Sequence, residues 1–253
     1  YMQAKFTVVA TDGAYIQCLK AGIALDWVIT LDPHETRVVR WFGDPDFEAN
    51  SQGDDYFARQ DLDVEFRRNS IQHNAENIAL VDANPAKLAI CTTAPENVEA
   101  RTRAFDRYWF APLVDSVCAP GSLTRRAIGN RNIPALNTGG TVGTAAWCYV
   151  HSILKSPDIA VVGMDFGYQM DTQLEKTQSW NMLKDRENVS ELYPIRAGHW
   201  GAAYTDPTYA WYLDNFRDLL DAADATVTNC SGAGLLSGER VKCMELEKWL
   251  KGS

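Results

Sequence analysis

Residues 135–144 read Ala-Leu-Asn-Thr-Gly-Gly-Thr-Val-Gly-Thr; an apolar run of helix length follows to Leu154, and 158–168 read Asp-Ile-Ala-Val-Val-Gly-Met-Asp-Phe-Gly-Tyr. The order is glycine-rich loop, buried helix, buried strand. A loop of this kind opening onto a helix offers backbone N–H groups and the positive end of a dipole, which suits phosphate or carboxylate. The strand that follows ends in Asp165, and open α/β sheets place their ligands at the carboxyl ends of strands.

Working toward the N-terminus, Lys5–Ala10 (Lys-Phe-Thr-Val-Val-Ala) is a β-branched run that predicts a buried strand. It ends in Thr11-Asp12-Gly13, where Asp12 is placed to cap a helix over 13–20, with Gly22 terminating it. A second buried strand spans Asp26–Leu31 and ends in Asp32. This β-α-β unit predicts parallel pairing. Residues 36–84 are less regular and are expected to form an insertion or lid, with a possible helix over 56–77. Two Asp-x-Asp patterns, 44–46 and 61–63, fall there; with 33 acidic residues such patterns arise by chance, and neither is assigned a metal.

Regular alternation resumes with a strand at 88–92, a helix at 95–105, a strand at 107–112 and a short helix at 122–129. After the central stretch, 167–205 is long for a connection and is expected to be an active-site loop region with one short helix near 177–183. Tyr209, Tyr212, Leu213, Phe216, Leu219 and Leu220 recur at helical spacing within 208–223. A strand at 225–229 ends in Asn229, and 239–251 closes as an amphipathic helix. The expected fold is α/β: one Rossmann-like domain over 1–253, with a mainly parallel sheet, helices on both faces and an irregular insertion.

Composition excludes several partners. The net charge of −9 and the lack of any basic block argue against nucleic acid, since phosphate contacts need clustered Lys and Arg. No apolar run reaches the ~18–20 residues of a membrane-spanning helix, and no signal-peptide pattern opens the sequence. The six cysteines are scattered without a C-x-x-C pair, which predicts reduced thiols and a cytoplasmic protein.

The candidate site residues are Asp12, Asp32 and Asn229 at strand ends and the loop of Asn137, Thr138, Gly139, Gly140 and Thr141 as an anion cradle, with Asp165 and His199 as catalytic candidates. Each Asp, Asn or Gly taken singly reads equally as a turn residue; their recurrence at successive strand ends is the functional signal. No Lys follows Gly139-Gly140, so the loop does not match Walker A. His199 sits in a polar, glycine-flanked loop, and an imidazole of ordinary pKa ~6.5 suits general-base work, although a merely solvated histidine fits the same residues.

Four segments carry a resemblance: Val-Val-Ala-Thr-Asp-Gly-Ala (8–14), Leu-Asp-Trp-Val-Ile-Thr-Leu-Asp-Pro (25–33), Asn-Thr-Gly-Gly-Thr-Val-Gly (137–143) and Val-Val-Gly-Met-Asp-Phe-Gly-Tyr (161–168). Together they resemble the MptE-like family, which includes archaeal 6-hydroxymethylpterin diphosphokinases and motility accessory factors that glycosylate flagellin with nonulosonic acids. More distantly the chain is similar to bacterial sialyltransferases.

The resemblance implies a transferase using a nucleotide-activated sugar of the CMP-nonulosonic acid type, with a protein or glycan acceptor and no obligatory metal. His199 would deprotonate the acceptor hydroxyl, the Asn137 loop would hold the donor, and Tyr168 or Tyr193 would lie near its phosphate. The alternatives are an MptE-like diphosphokinase using ATP and Mg²⁺, and a non-catalytic nucleotide-binding protein. Family members carry a Gly-x-Gly-Pro-Ser-Leu turn ahead of the segment matching 8–14, so an earlier segment is expected to be missing here or that loop to be lost. Thr30-Leu31-Asp32-Pro33 stands where the pterin enzymes show Asp-Leu-Asp-Gly, which weakens the metal-dependent alternative.

Overall fold

The computed structural model describes residues 6–50 and 64–252, apart from the side chains of 64–70. They form two compact units, one up to Cys148 and one from Tyr149. The chain is α/β and Rossmann-like, built on parallel strands flanked by helices.

The first unit holds a five-stranded parallel sheet whose order follows the sequence: β1 (Val9–Thr11), β2 (Trp27–Thr30), β3 (Lys87–Cys91), β4 (Asp106–Pro112) and β5 (Ala135–Leu136). Helix α1 (Asp12–Lys20) carries Asp12 in its first turn and Lys20 in its last, both favourable to its dipole. Asp12 is the first helical residue rather than the cap expected of it; Thr11 occupies the cap position. Helices α2 (Val64–Ala83) and α3 (Glu96–Arg101) follow β2 and β3.

Val28, Leu88 and Ile90 form one apolar row, because the register sets Val28 beside Leu88 and the side chains of a strand alternate between faces. Tyr15 and Ile16 of α1, Val81 of α2, Val98 of α3 and Phe105 pack against that row. Tyr15, Phe42 and Phe105 meet in tilted and edge-on pairs with centroids 5.9–6.0 Å apart. On the opposite face Ile29, Ala89 and Cys91 are also fully buried, which explains why these strands read as continuous apolar runs.

Within segment 36–84, described over 36–50 and 64–84, several residues join the core. Val38, Val39, Phe42 and Val81 lie in the core, and α2 runs for 20 residues. Asp44, in the first Asp-x-Asp, is buried and spends its carboxylate on the Asp46 N–H (2.9 Å) and the Asn50 amide (2.7 Å), so it is a loop brace. The second Asp-x-Asp, 61–63, lies outside the described residues.

Helices α4 (Leu123–Ile128) and α5 (Val142–Ser152) complete the first unit's run, the boundary falling within α5. The second unit has a three-stranded parallel sheet in the order β10 (Val241–Cys243), β9 (Val227–Asn229), β6 (Ala160–Val161), and a hairpin of β7 (Ile195–Gly198) with β8 (Gly201–Tyr204). Helix α6 (Pro207–Ala222) opens on Asp206, whose side chain accepts the Tyr209 N–H at 2.8 Å. Helix α7 (Leu246–Gly252) closes the chain.

Three expectations need correction here. The strand of 158–165 forms only the two-residue ladder of β6, because Gly163 takes a positive φ of 77° and turns the chain away. The hairpin 195–204 was expected as loop. The closing helix starts later than expected, since Val241 is buried in β10 beside Val227. All six cysteines are unpaired, and among the described residues no helix is long and apolar enough to cross a membrane.

Candidate functional site

In the first unit, the carboxyl ends of β1 and β2 bring Asp12, Thr30 and Asp32 together. Asp12 is buried; its Oδ2 accepts the Thr30 hydroxyl at 2.8 Å and its Oδ1 the Gly13 N–H at 2.7 Å. Burial pushes its carboxyl up to about 6, the two hydrogen bonds opposing and the nearby Asp32 charge adding. Asp32 accepts the His34 N–H at 2.9 Å and lies 3.9 Å from the Arg37 guanidinium.

The Asn137 loop follows β5, at the far edge of the same sheet. Three strands, β2, β3 and β4, stand between β5 and β1 in that sheet. The structure therefore groups Asp12 with Asp32 but not with the glycine loop. Gly139 and Gly140 both have positive φ, 55° and 85°, a conformation costly for other residues. Asn137 Oδ1 accepts the Gly139 N–H at 3.1 Å, the Thr141 N–H bonds to the Thr138 carbonyl at 3.2 Å, and the Thr141 hydroxyl accepts the Thr144 N–H at 3.0 Å. Three amides of the expected cradle are thus used locally. Val142 and Gly143, the first two residues of α5, have N–H groups with no intrahelical acceptor.

In the second unit, a cleft of about 180 Å³ is walled by Asp165, Gly167, Tyr168, Gln169, Met170, Trp200, Gly201, Ala202, Ala203 and the 232–234 turn. Asp165 lies four residues past β6, in the loop that Gly163 begins. Its Oδ1 is closed to solvent and has no hydrogen-bond partner among the described residues. Burial pushes this carboxyl up; the Ser231 hydroxyl draws it back only in part. Ser231 Oγ also accepts the Gly163 N–H at 2.9 Å, so one side chain holds both Gly163 and Asp165.

Glycine makes this loop packing possible. A Cβ on Gly234, where φ is +84°, would sit 2.5 Å from the Asp165 Cα and carbonyl oxygen, and one on Gly198 would overlap the Gly234 carbonyl. Asn229 holds the turn from within: its amide donates to the Leu236 carbonyl at 2.8 Å and its Oδ1 accepts the Ser231 N–H at 2.9 Å. Its polar atoms shape the loop.

The two tyrosines expected beside a phosphate are also engaged. The Tyr168 phenol donates to Asp206 (2.7 Å) and accepts the Gln178 N–H (3.0 Å), and burial pushes its pKa up. Tyr193 shares a hydrogen bond with the Thr177 hydroxyl at 2.8 Å. His199 lies exposed on the β7–β8 turn, its ring perpendicular to that of Trp200 with centroids 4.9 Å apart. Trp200, not His199, is on the cleft wall.

Sequence reasoning passed over Ser231, Trp200, Met170 and Gly234. The alternating glycines 232 and 234 were the available signal, because glycine spacing of this kind marks close backbone approach. Among the described residues no group of three or more His, Cys, Asp or Glu side chains could hold a metal ion.

No family model matches the chain, and no curated protein matches it in sequence. Its fold is similar to that of the MAf glycosyltransferase from Magnetospirillum magneticum AMB-1, with a TM-score of 0.60 at 15% sequence identity. The likeness covers 96% of this chain and 30% of that protein.

Proposed function

We propose that this chain is a glycosyltransferase module that takes a nucleotide-activated sugar of the CMP-nonulosonic acid type and transfers it to a protein or glycan hydroxyl. The observation that carries the reading is Asp165: a desolvated carboxyl with an unpartnered oxygen, on the wall of a cleft. Such a group is made to receive a hydroxyl. The fold shared with a glycosyltransferase supports the same direction. The amides of Val142 and Gly143, which have no intrahelical acceptor at the start of α5 beside Gly139-Gly140, are the proposed contact for the donor phosphate. Asn137, Thr138 and Thr141 shape that loop, Asp12 and Asp32 shape the ends of β1 and β2, and in the second unit Tyr168 and Asn229 shape the cleft and the turn that carry Asp165.

In the transfer, the acceptor oxygen bonds to the anomeric carbon as the bond to the phosphate oxygen breaks. The electron pair leaves with CMP, and the acceptor proton passes to a base. His199 holds that role by its place in the chain; Asp165 holds the better geometry, being on the cleft wall.

The test is thermal shift with CMP, CDP, ATP and GTP, with and without Mg²⁺, followed by CMP release from a CMP-nonulosonate donor. Stabilisation by CMP without metal and donor turnover are expected. A response to ATP only with Mg²⁺ reassigns the chain to diphosphoryl transfer, and silence toward every nucleotide removes the reading. Transfer unchanged in His199→Ala hands the base role to Asp165, whereas transfer lost in that variant and kept in Asp165→Asn fixes it on the imidazole.

A further inference from the structure

We infer that the Asp165 cleft is a subsite for one uncharged pyranose ring, which gives a hydroxyl to Asp165 and lays its C–H face against Trp200. This deepens the transferase reading and rests on it only in calling that ring the acceptor.

Size is the first observation. An engineered cavity of about 150 Å³ holds benzene, so about 180 Å³ has room for a single six-membered ring, while larger ligands need pockets of roughly 300 Å³ or more.

Charge is the second. The wall includes a carboxylate and no Lys or Arg, so a phosphate placed there would meet repulsion and no counter-charge. A neutral polyol suffers neither penalty.

The third observation is the unpartnered Asp165 Oδ1. Ser231 supplies one donor to this carboxyl, and a turn of the carboxyl toward the cleft lets a ligand hydroxyl supply what the closed oxygen lacks. An organic cation would also suit an aromatic wall beside a carboxylate. Competition by tetramethylammonium separates that ligand from a sugar hydroxyl.

The rest of the wall is consistent with ring binding. Gly201, where a Cβ would meet nothing within 4 Å, leaves its stretch of wall open, and Met170 and Trp200 give apolar surface. Trp200 stands on the hairpin turn, where its indole adds contact area with few rotamers to fix.

Saturation-transfer NMR on the whole chain, with methyl β-galactopyranoside and methyl α-glucopyranoside as probes, tests this. Inorganic phosphate, CMP and tetramethylammonium serve as competitors. At least one glycoside should bind, with affinity falling about ten-fold or more in Asp165→Ala, as expected for losing a hydrogen bond to a charged acceptor. Trp200→Ala, on an exposed turn, should weaken it too and guards against misfolding of the first variant. Failure of both glycosides to bind, binding that survives either substitution, or displacement by any of the three competitors overturns the inference. Glycoside binding without donor turnover would sink the transferase reading alone; donor turnover without glycoside binding would sink this subsite alone.

Discussion

Asp12 shows what a buried acid at a strand end does to stability. Its carboxyl is raised from an ordinary 3.8 to about 6, chiefly by burial. Below pH 4 the group is neutral in both folded and unfolded chains and adds no pH-dependent penalty. As pH rises through about 6 the unfolded chain releases its proton more readily than the folded one, so stability falls, by about 3 kcal/mol in all from this residue. Asp12→Asn removes the titration while keeping an oxygen for Gly13 and a group for the Thr30 hydroxyl. Urea unfolding from pH 4 to pH 7.5 should therefore show the variant gaining on the parent by up to that amount as pH rises. A constant difference between the two would mean that Asp12 titrates normally. At the same scale, residue identity in the sequence pointed to Asp12 and Asp165 because acids at strand ends are visible as letters. The raised carboxyl of Asp12 and the unpartnered oxygen of Asp165 are not, since both depend on what the rest of the chain folds over them.

At the scale of elements, α6 shows a cap doing two jobs. Asp206 is buried, accepts the Tyr209 N–H at the helix start and also accepts the Tyr168 phenol. Asp206→Ala should cost about 2–4 kcal/mol: roughly 1 for the cap and the remainder for a buried phenol left without its acceptor. Adding Tyr168→Phe to that variant should recover part of the loss, because removing both partners is milder than stranding one. Denaturant midpoints of the single and double variants decide it, and equal or additive losses would show that the phenol is indifferent to Asp206. Elements were legible where periodicity was long: α1, α6 and the apolar β2 and β3 stand close to where their patterns predict. The misses have local causes. Gly163 cuts β6 to two residues by taking a positive φ, and β10 was hidden because Val241 is its single buried side chain in three positions. The hairpin β7–β8 has two exposed alanines and an exposed arginine where alternation would have announced it.

At the scale of the molecule, the five-stranded and three-stranded sheets are separate parallel systems, and the alternation of strands and helices that revealed the α/β class could not reveal that division. Strand order is likewise silent in a sequence, which is why Asp12 and the Asn137 loop looked like neighbours and lie at opposite edges. The global charge carries a separate consequence for the proposed donor. With a net charge of −9, the long-range field repels a nucleotide, and a cradle of backbone amides attracts it only at short range. Salt screens the repulsion over a Debye length that shrinks from about 30 Å at 0.01 M to about 8 Å at 0.15 M, while contacts to amides a hydrogen bond away are scarcely affected. CMP affinity measured by calorimetry should therefore hold constant or rise between those ionic strengths. A cluster of Lys and Arg would give the opposite result, with affinity falling several-fold as salt is added. A clear fall would place the phosphate on basic side chains and end the assignment of the α5 amides, whatever the activity of the chain.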